Sequence, residues 1–215
     1  MTLKFYYHPL SSFCHKVLVA FYEMGTQFEP VIVDFFNAES AAKHKAMWPI
    51  GKIPVLHDEK RDRVVPETSI MIEYLAQHYP GRINLVSDDA DMARQIRLRD
   101  RFFDLYVNVP MQKVVTDRLR PAGKNDPFGV DEAKGVLHTA YDMIEKDMAG
   151  KTWVMGDDFT MADCAAAGAL FYANSQVPMP ATHKHAAAYL ARLMERPSYA
   201  RVLKEAEPYF KMIPQ

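Results

Sequence analysis

Gly51-Lys52-Ile53-Pro54-Val55-Leu56, a charged turn, Val64-Val65-Pro66, and then Glu67-Thr68-Ser69-Ile70-Met71-Ile72-Glu73-Tyr74-Leu75 form the stretch that decides the fold. Pro54 stands directly before a short apolar run. Proline cannot donate to a sheet ladder, so this one belongs at a strand start or on an edge. It also makes Ile53-Pro54 a candidate for a cis peptide bond. Ile53, at the mouth of that strand, leaves its backbone N–H and C=O for whatever lies alongside. After the next strand, Glu67-Thr68-Ser69 opens an apolar helical pattern. Its side chains and N–H groups gather at a helix N-terminus, which favours a carboxylate. Together these features predict a groove that holds an extended, peptide-like, anionic ligand by its main chain.

Working outward toward the N-terminus, Leu3 to His8 reads as a first strand and Pro9-Leu10-Ser11-Ser12 as a turn. From Phe13, apolar residues recur at Cys14, Val17, Leu18 and Phe21, a helical stripe that stops at Gly25. Phe28 to Phe35 reads as a second strand, so the three elements imply a right-handed parallel crossover. Ala38 to Met47 is a short helix or irregular segment. Val55 to His57 and Arg63 to Val65 form a hairpin, and Glu67 to His78 is a helix ended by Pro80-Gly81. The order β-α-β-α-β-β-α is a thioredoxin-like layout.

Beyond the connection Arg82 to Ser87 no strand is predicted. Helices are expected over Asp88 to Val115, bent at Pro110, then Val130 to Met148, Thr160 to Ala173, His183 to Glu195 and Ser198 to Ala206. Strands and helices followed by helices alone predict two segregated domains, 1–81 and 88–215. Thr160 stands three residues before Asp163, a variant of the capping box, with Phe159 placed as a hydrophobic staple to Cys164.

The formal net charge is −1, so no global basic field exists to hold nucleic acid. Arg94, Arg97, Arg99 and Arg101 alternate with Asp91, Asp100 and Asp104 and read as a solvated helix face. No apolar stretch approaches bilayer length, and the N-terminus alternates into a strand and lacks a signal-peptide core. Two cysteines, each inside a helical pattern, make no disulfide framework, so a reducing cytoplasmic setting is expected. His183-Lys184-His185 has no partner cluster at metal-ligand spacing, and no metal site is predicted.

Ser11-Ser12-Phe13-Cys14 lies where the first strand hands over to the first helix. A serine there caps the helix or, since the position resembles the Cys-x-x-Cys site of thioredoxins with serine in the first place, donates its hydroxyl to the sulfur of an ionised thiol. Free thiols of pKa about 8.5 are only a few per cent ionised at neutral pH. Lowering that value by about two units takes roughly 2.7 kcal/mol, within reach of a hydroxyl, a backbone N–H and a helix dipole together. Cys14, among apolar neighbours, reads as a small buried hydrophobe. Phe102, Phe103, Tyr106 and Met111 lie at helical spacing and read mostly as core; Tyr106 is the residue expected to face a second pocket.

The Ile-Pro before a strand, the Glu-Thr at the next helix start and the capped helix at Thr160 resemble the glutathione transferases along the whole chain. The resemblance implies a thioredoxin-like domain binding glutathione and an all-α domain supplying an apolar pocket for a small hydrophobic electrophile. It implies that Ser11 or Ser12 activates the thiol, Ser11 holding the place of the catalytic serine in the theta and zeta classes. Glu67 is then matched to the α-ammonium of glutathione and Thr68 to its α-carboxylate. Ile53 and Pro54 supply backbone, and Lys52 or His44 reaches the glycine carboxylate. A homodimer is the family expectation. Two alternatives stay open: a glutathione-dependent isomerase of the zeta type, and a non-catalytic member that binds ligands or partner proteins.

Overall fold

The computed structural model describes residues 3–213, so the outermost residues of both expected domains, 1–2 and 214–215, lie outside it. Its first half is a four-stranded mixed sheet with strand order β2-β1-β3-β4. The strands are β1 Leu3–Tyr7, β2 Glu29–Ile32, β3 Val55–Asp58 and β4 Arg63–Pro66. β1 pairs parallel with β2 and antiparallel with β3, and β4 is antiparallel to β3. The second strand is shorter than the expected Phe28–Phe35. Its partner β1 ends at Tyr7, opposite Ile32, and the last ladder bond runs from the Val33 N–H to the Tyr7 carbonyl at 2.8 Å.

Helix α1, Ser12–Met24, begins under a Ser11 cap and stops at Gly25, whose φ of 74° is the left-handed conformation that glycine adopts without strain. Its buried residues include Val17, Leu18 and Phe21, the expected stripe. Helices α2, Ala38–Met47, and α3, Thr68–His78, complete this half.

The second half is helical: α4 Ala90–Phe102, α5 Val109–Asp117, α6 Pro127–Asp147, α7 Met161–Gln176, α8 Lys184–Glu195 and α9 Pro197–Ala206, followed by a 3₁₀ turn over Glu207–Met212. Between α4 and α5 the chain forms a π-helical turn, Phe103–Asn108. The Val109 N–H there bonds the Asp104 carbonyl, five residues back. The expected break at Pro110 thus takes the form of a wider turn just ahead of a residue that has no N–H to give.

Helix α7 is buried on nearly every side, because Ala162, Ala165, Ala166, Ala167 and Ala169 let its neighbours approach its axis. Its capping box is formed: the Thr160 N–H donates to Asp163 Oδ2 at 2.9 Å. Asp163 does more than cap. Its Oδ1 accepts from the Val154 N–H at 2.9 Å and the Tyr189 hydroxyl at 2.7 Å, tying α7 to the 153–156 turn and to α8. The Phe159 ring meets Trp153 edge-on and lies under the Arg196 guanidinium at 3.8 Å. No helix among the described residues is long and apolar enough to cross a membrane.

Candidate functional site

The sheet register brings the expected site residues to one end of the sheet. Tyr6 of β1 pairs with Val55 of β3, and Val55 pairs with Pro66 of β4. The exit of β1 toward Ser11, the entry of β3 from Ile53-Pro54 and the exit of β4 into Glu67-Thr68 therefore share an edge. The Ile53-Pro54 peptide is cis.

Ser11 is half-buried. Its Oγ accepts the Cys14 N–H at 3.3 Å, which leaves its own hydrogen available. Ser12, its neighbour, is buried, and its hydroxyl donates to Asn108 Oδ1 at 2.7 Å. A hydroxyl has one hydrogen to give, and Ser12 has already given it. Burial pushes the Cys14 thiol up to about 12, so at neutral pH it stays protonated and behaves as a core residue.

Glu67 is exposed and has φ 67° and ψ 118°, a strained conformation for a residue with a Cβ. It makes no side-chain cap bond to α3. Thr68, the first residue of that helix, is 7% exposed. Backbone strain of this kind clusters at active sites and ligand clamps.

Lys52 is exposed. His44 calls for a correction. Its ring is 2% exposed, and its Nε2 bonds the Lys52 carbonyl at 2.9 Å. It braces the loop that leads to Ile53 and is not free to reach a carboxylate. Tyr106 needs a second correction. It stands two positions from both Asp104 and Asn108, the residues that face α1, and so lies on another side of the helical turn. Its ring lies against Phe102, which with Ile144 and Met148 lines a small space between α4 and α6. An aromatic that does reach the β1–α1 turn is Tyr209 of the 3₁₀ segment, edge-on to His8 at 5.5 Å.

The solvated face expected for α4 holds for Asp91 and Arg97 but fails for Asp100 and Asp104, which are buried. Both carboxylates meet Lys16, itself 1% exposed. Lys16 Nζ lies 2.7 Å from Asp100 Oδ1, 2.8 Å from Asp104 Oδ2 and 2.9 Å from Ser69 Oγ. The Ser69 hydroxyl in turn donates to Asp100 Oδ2 at 2.5 Å. Burial pushes the Asp104 carboxyl up against the opposing pull of Lys16, and the Asp100 charge pushes it the same way as burial. The signal for this cluster was the four-residue spacing of Asp100, Asp104 and Asn108, hidden among the surrounding arginines.

Next to Ser12, burial holds the His15 imidazole down to about 4, and its Nε2 lies 2.6 Å from the Pro9 carbonyl. Among the described residues no group of three or more His, Cys, Asp or Glu side chains is placed to hold a metal ion.

Comparison with known proteins assigns the chain to a family. A model described as the N-terminal domain of glutathione S-transferases matches residues 5–82, and one described as their C-terminal domain matches residues 109–197. The chain is 30% identical to the glutathione S-transferase-like protein LUC7 of a Fusarium species over 158 residues, 74% of this chain and 71% of that protein. It is 24% identical to a glutathione S-transferase of Pseudomonas putida over 211 residues, 95% of this chain and 93% of that one. The crystal structure of a glutathione S-transferase from Methylobacillus flagellatus, solved with glutathione bound, has a similar fold. Its TM-score is 0.83 at 22% identity, with 93% of this chain and 98% of that one covered.

Proposed function

This chain belongs to the glutathione S-transferase family, and from that premise we propose that it activates the thiol of glutathione for attack on a small hydrophobic electrophile. The observation that carries the reading is the contrast between adjacent serines. Ser11 keeps its hydrogen, at the start of α1, on the sheet edge shared with Ile53-Pro54 and Glu67-Thr68.

In this reading residues 1–81 hold glutathione and 88–215 supply the electrophile surface. The tripeptide lies extended along Ile53. Glu67 meets its α-ammonium, Thr68 its α-carboxylate and Lys52 its glycine carboxylate. The Ser11 hydroxyl donates to the sulfur and favours thiolate over thiol, because a hydrogen bond to an ionised acceptor is stronger than one to a neutral acceptor. The thiolate then attacks the electrophilic carbon and displaces its leaving group. Tyr209, against His8 three residues ahead of Ser11, supplies apolar surface beside the sulfur.

A homodimer is the family expectation, and Ile70, Leu98, Tyr106 and Val109 are among the exposed apolar side chains it would have to cover. Both cysteines are free and buried, the state that a reducing cytoplasm maintains.

The test is calorimetry with glutathione, followed by a turnover screen with halogenated aromatics, organic peroxides, epoxides and maleyl-type isomerase substrates. Binding with turnover of one of the first three classes is the expected result. Turnover of the last class alone would convert the reading to a zeta-type isomerase. Binding with no turnover would make the chain a non-catalytic member, and no binding would remove the reading.

A further inference from the structure

Three buried polar residues, Asp100, Asp104 and Asn108, stand at four-residue spacing along one side of α4 and the π turn. In an α-helix, residues four apart overshoot a full turn by about 40°, so a stripe of three would drift round the helix. A π turn, at about 4.4 residues per turn, undershoots over the same spacing by about 33°. The π turn spans Phe103–Asn108, so it returns Asn108 to the side that Asp100 occupies.

Each end of this stripe holds the residue immediately after a candidate glutathione contact. Asn108 accepts from Ser12, next to Ser11, at 2.7 Å. Asp100 accepts from Ser69, next to Thr68, at 2.5 Å. Lys16, itself on α1, is bonded to Asp100, Asp104 and the Ser69 hydroxyl together, and so ties α1 to the Asp100 end as well. A packed apolar trio would stabilise the interior as well as these buried charges or better, so stability alone does not account for them. Charged hydrogen bonds are directional, and they fix where two helix starts lie relative to each other.

We propose that Asp100 and Asp104 with Lys16, and Asn108 with Ser12, are positioning residues that hold the N-termini of α1 and α3 in register, so that the thiol end and the γ-glutamyl end of glutathione are gripped at once. The proposal rests on the glutathione reading above. It assigns different work to the two ends. The Asn108 end acts on the sulfur through Ser12 and the Ser11 turn. The Ser69 end acts on the α-carboxylate through Thr68.

The test uses the full chain with glutathione alone as probe, reading affinity by calorimetry and thiolate absorbance of the bound tripeptide against pH. Asn108→Ala is expected to raise the ionisation pH of bound glutathione by about half a unit, with affinity kept within about twofold. Ser69→Ala is expected to weaken affinity about three- to tenfold, the loss of one hydrogen bond to a charged group, with the ionisation pH unchanged. Lys16→Met should reproduce the Ser69→Ala effect, because Lys16 bonds Ser69 and its partner Asp100. If it does not fold, the single deletions still decide. Ser12→Ala combined with Asn108→Ala should shift ionisation no further than either alone, because both remove the same bond. Additive shifts would overturn the proposal. So would lowered melting temperatures in Asn108→Ala and Ser69→Ala with affinity and ionisation both unchanged, which would make the cluster structural only. Wild type that fails to bind glutathione would remove the underlying reading and this inference with it.

Discussion

Gly168 of α7 lies directly against the carbonyl of Ser12: a Cβ built on it would come within 2.6 Å of that oxygen and 3.0 Å of the His15 Cβ. The helical half thus presses on the first turn of α1, one residue past the serine assigned to the thiol. Gly168→Ala should lower stability by about 1–2 kcal/mol, because forced repacking outweighs the roughly 1 kcal/mol of helix propensity that alanine adds. Gly135, on exposed α6, is the control. Nothing lies within 4 Å of its virtual Cβ, and Gly135→Ala should stabilise by about 0.5–1 kcal/mol. Urea unfolding of both variants tests the contrast. A stabilised Gly168→Ala would show that α7 retreats from α1 without cost.

Ser11→Ala should leave glutathione affinity within a few-fold of wild type while lowering turnover. The ionisation pH of bound glutathione should rise by about one to two units, or roughly 1.4–2.7 kcal/mol. Ser12→Ala should shift it by less than half as much, since that hydroxyl is committed to Asn108. Its larger effect falls on stability, about 1–3 kcal/mol for leaving the buried Asn108 oxygen unpaired. Thiolate absorbance against pH ranks the two, and a larger shift in the Ser12 variant would move the assignment by one residue.

Glu67 holds φ 67° without a Cβ-free backbone to make that cheap. Glu67→Gly should therefore stabilise the fold by about 1 kcal/mol, strain relief offset in part by the greater freedom of the unfolded chain. The same change should weaken glutathione binding about tenfold, the loss of one charged partner. Melting temperature and calorimetry read the two effects separately. If both fall together, Glu67 supports the fold in some way other than through its strained backbone.

His15 carries a pH signature. Burial holds its pKa at about 4 in the folded chain, against about 6.5 unfolded. The neutral form is the folded form, so its contribution to stability is complete above the unfolded value and is lost as pH falls from about 6.5 to about 4. One proton of linkage is worth about 1.36 kcal/mol per pH unit. Between pH 7 and pH 5 the wild type should lose about 2 kcal/mol more than His15→Gln, whose amide can still donate to the Pro9 carbonyl. Parallel urea midpoints for the two proteins over that range would contradict the buried, neutral imidazole.

The sequence by itself determined the order of strands and helices, the stop at Gly25, the Pro54 strand entry, the Glu67-Thr68 helix start and the cap of α7. Each is a local matter: a periodicity, a missing N–H or a side chain reaching its own backbone within a few residues. Only the tertiary structure decided what was buried beside them. The Ser12 hydroxyl found Asn108, 96 positions away, and so separated two serines that local chemistry left equivalent. Lys16 drew Asp100 and Asp104 inward from a helix whose charge pattern reads as solvated. His44 turned to the Lys52 carbonyl. Tyr106 fell out of the expected face because it stands two positions from both Asp104 and Asn108, the residues whose long-range partners turn toward α1. Whether a charge is buried depends on a partner distant in the chain, and a helical face can be counted forward only while the turn stays regular.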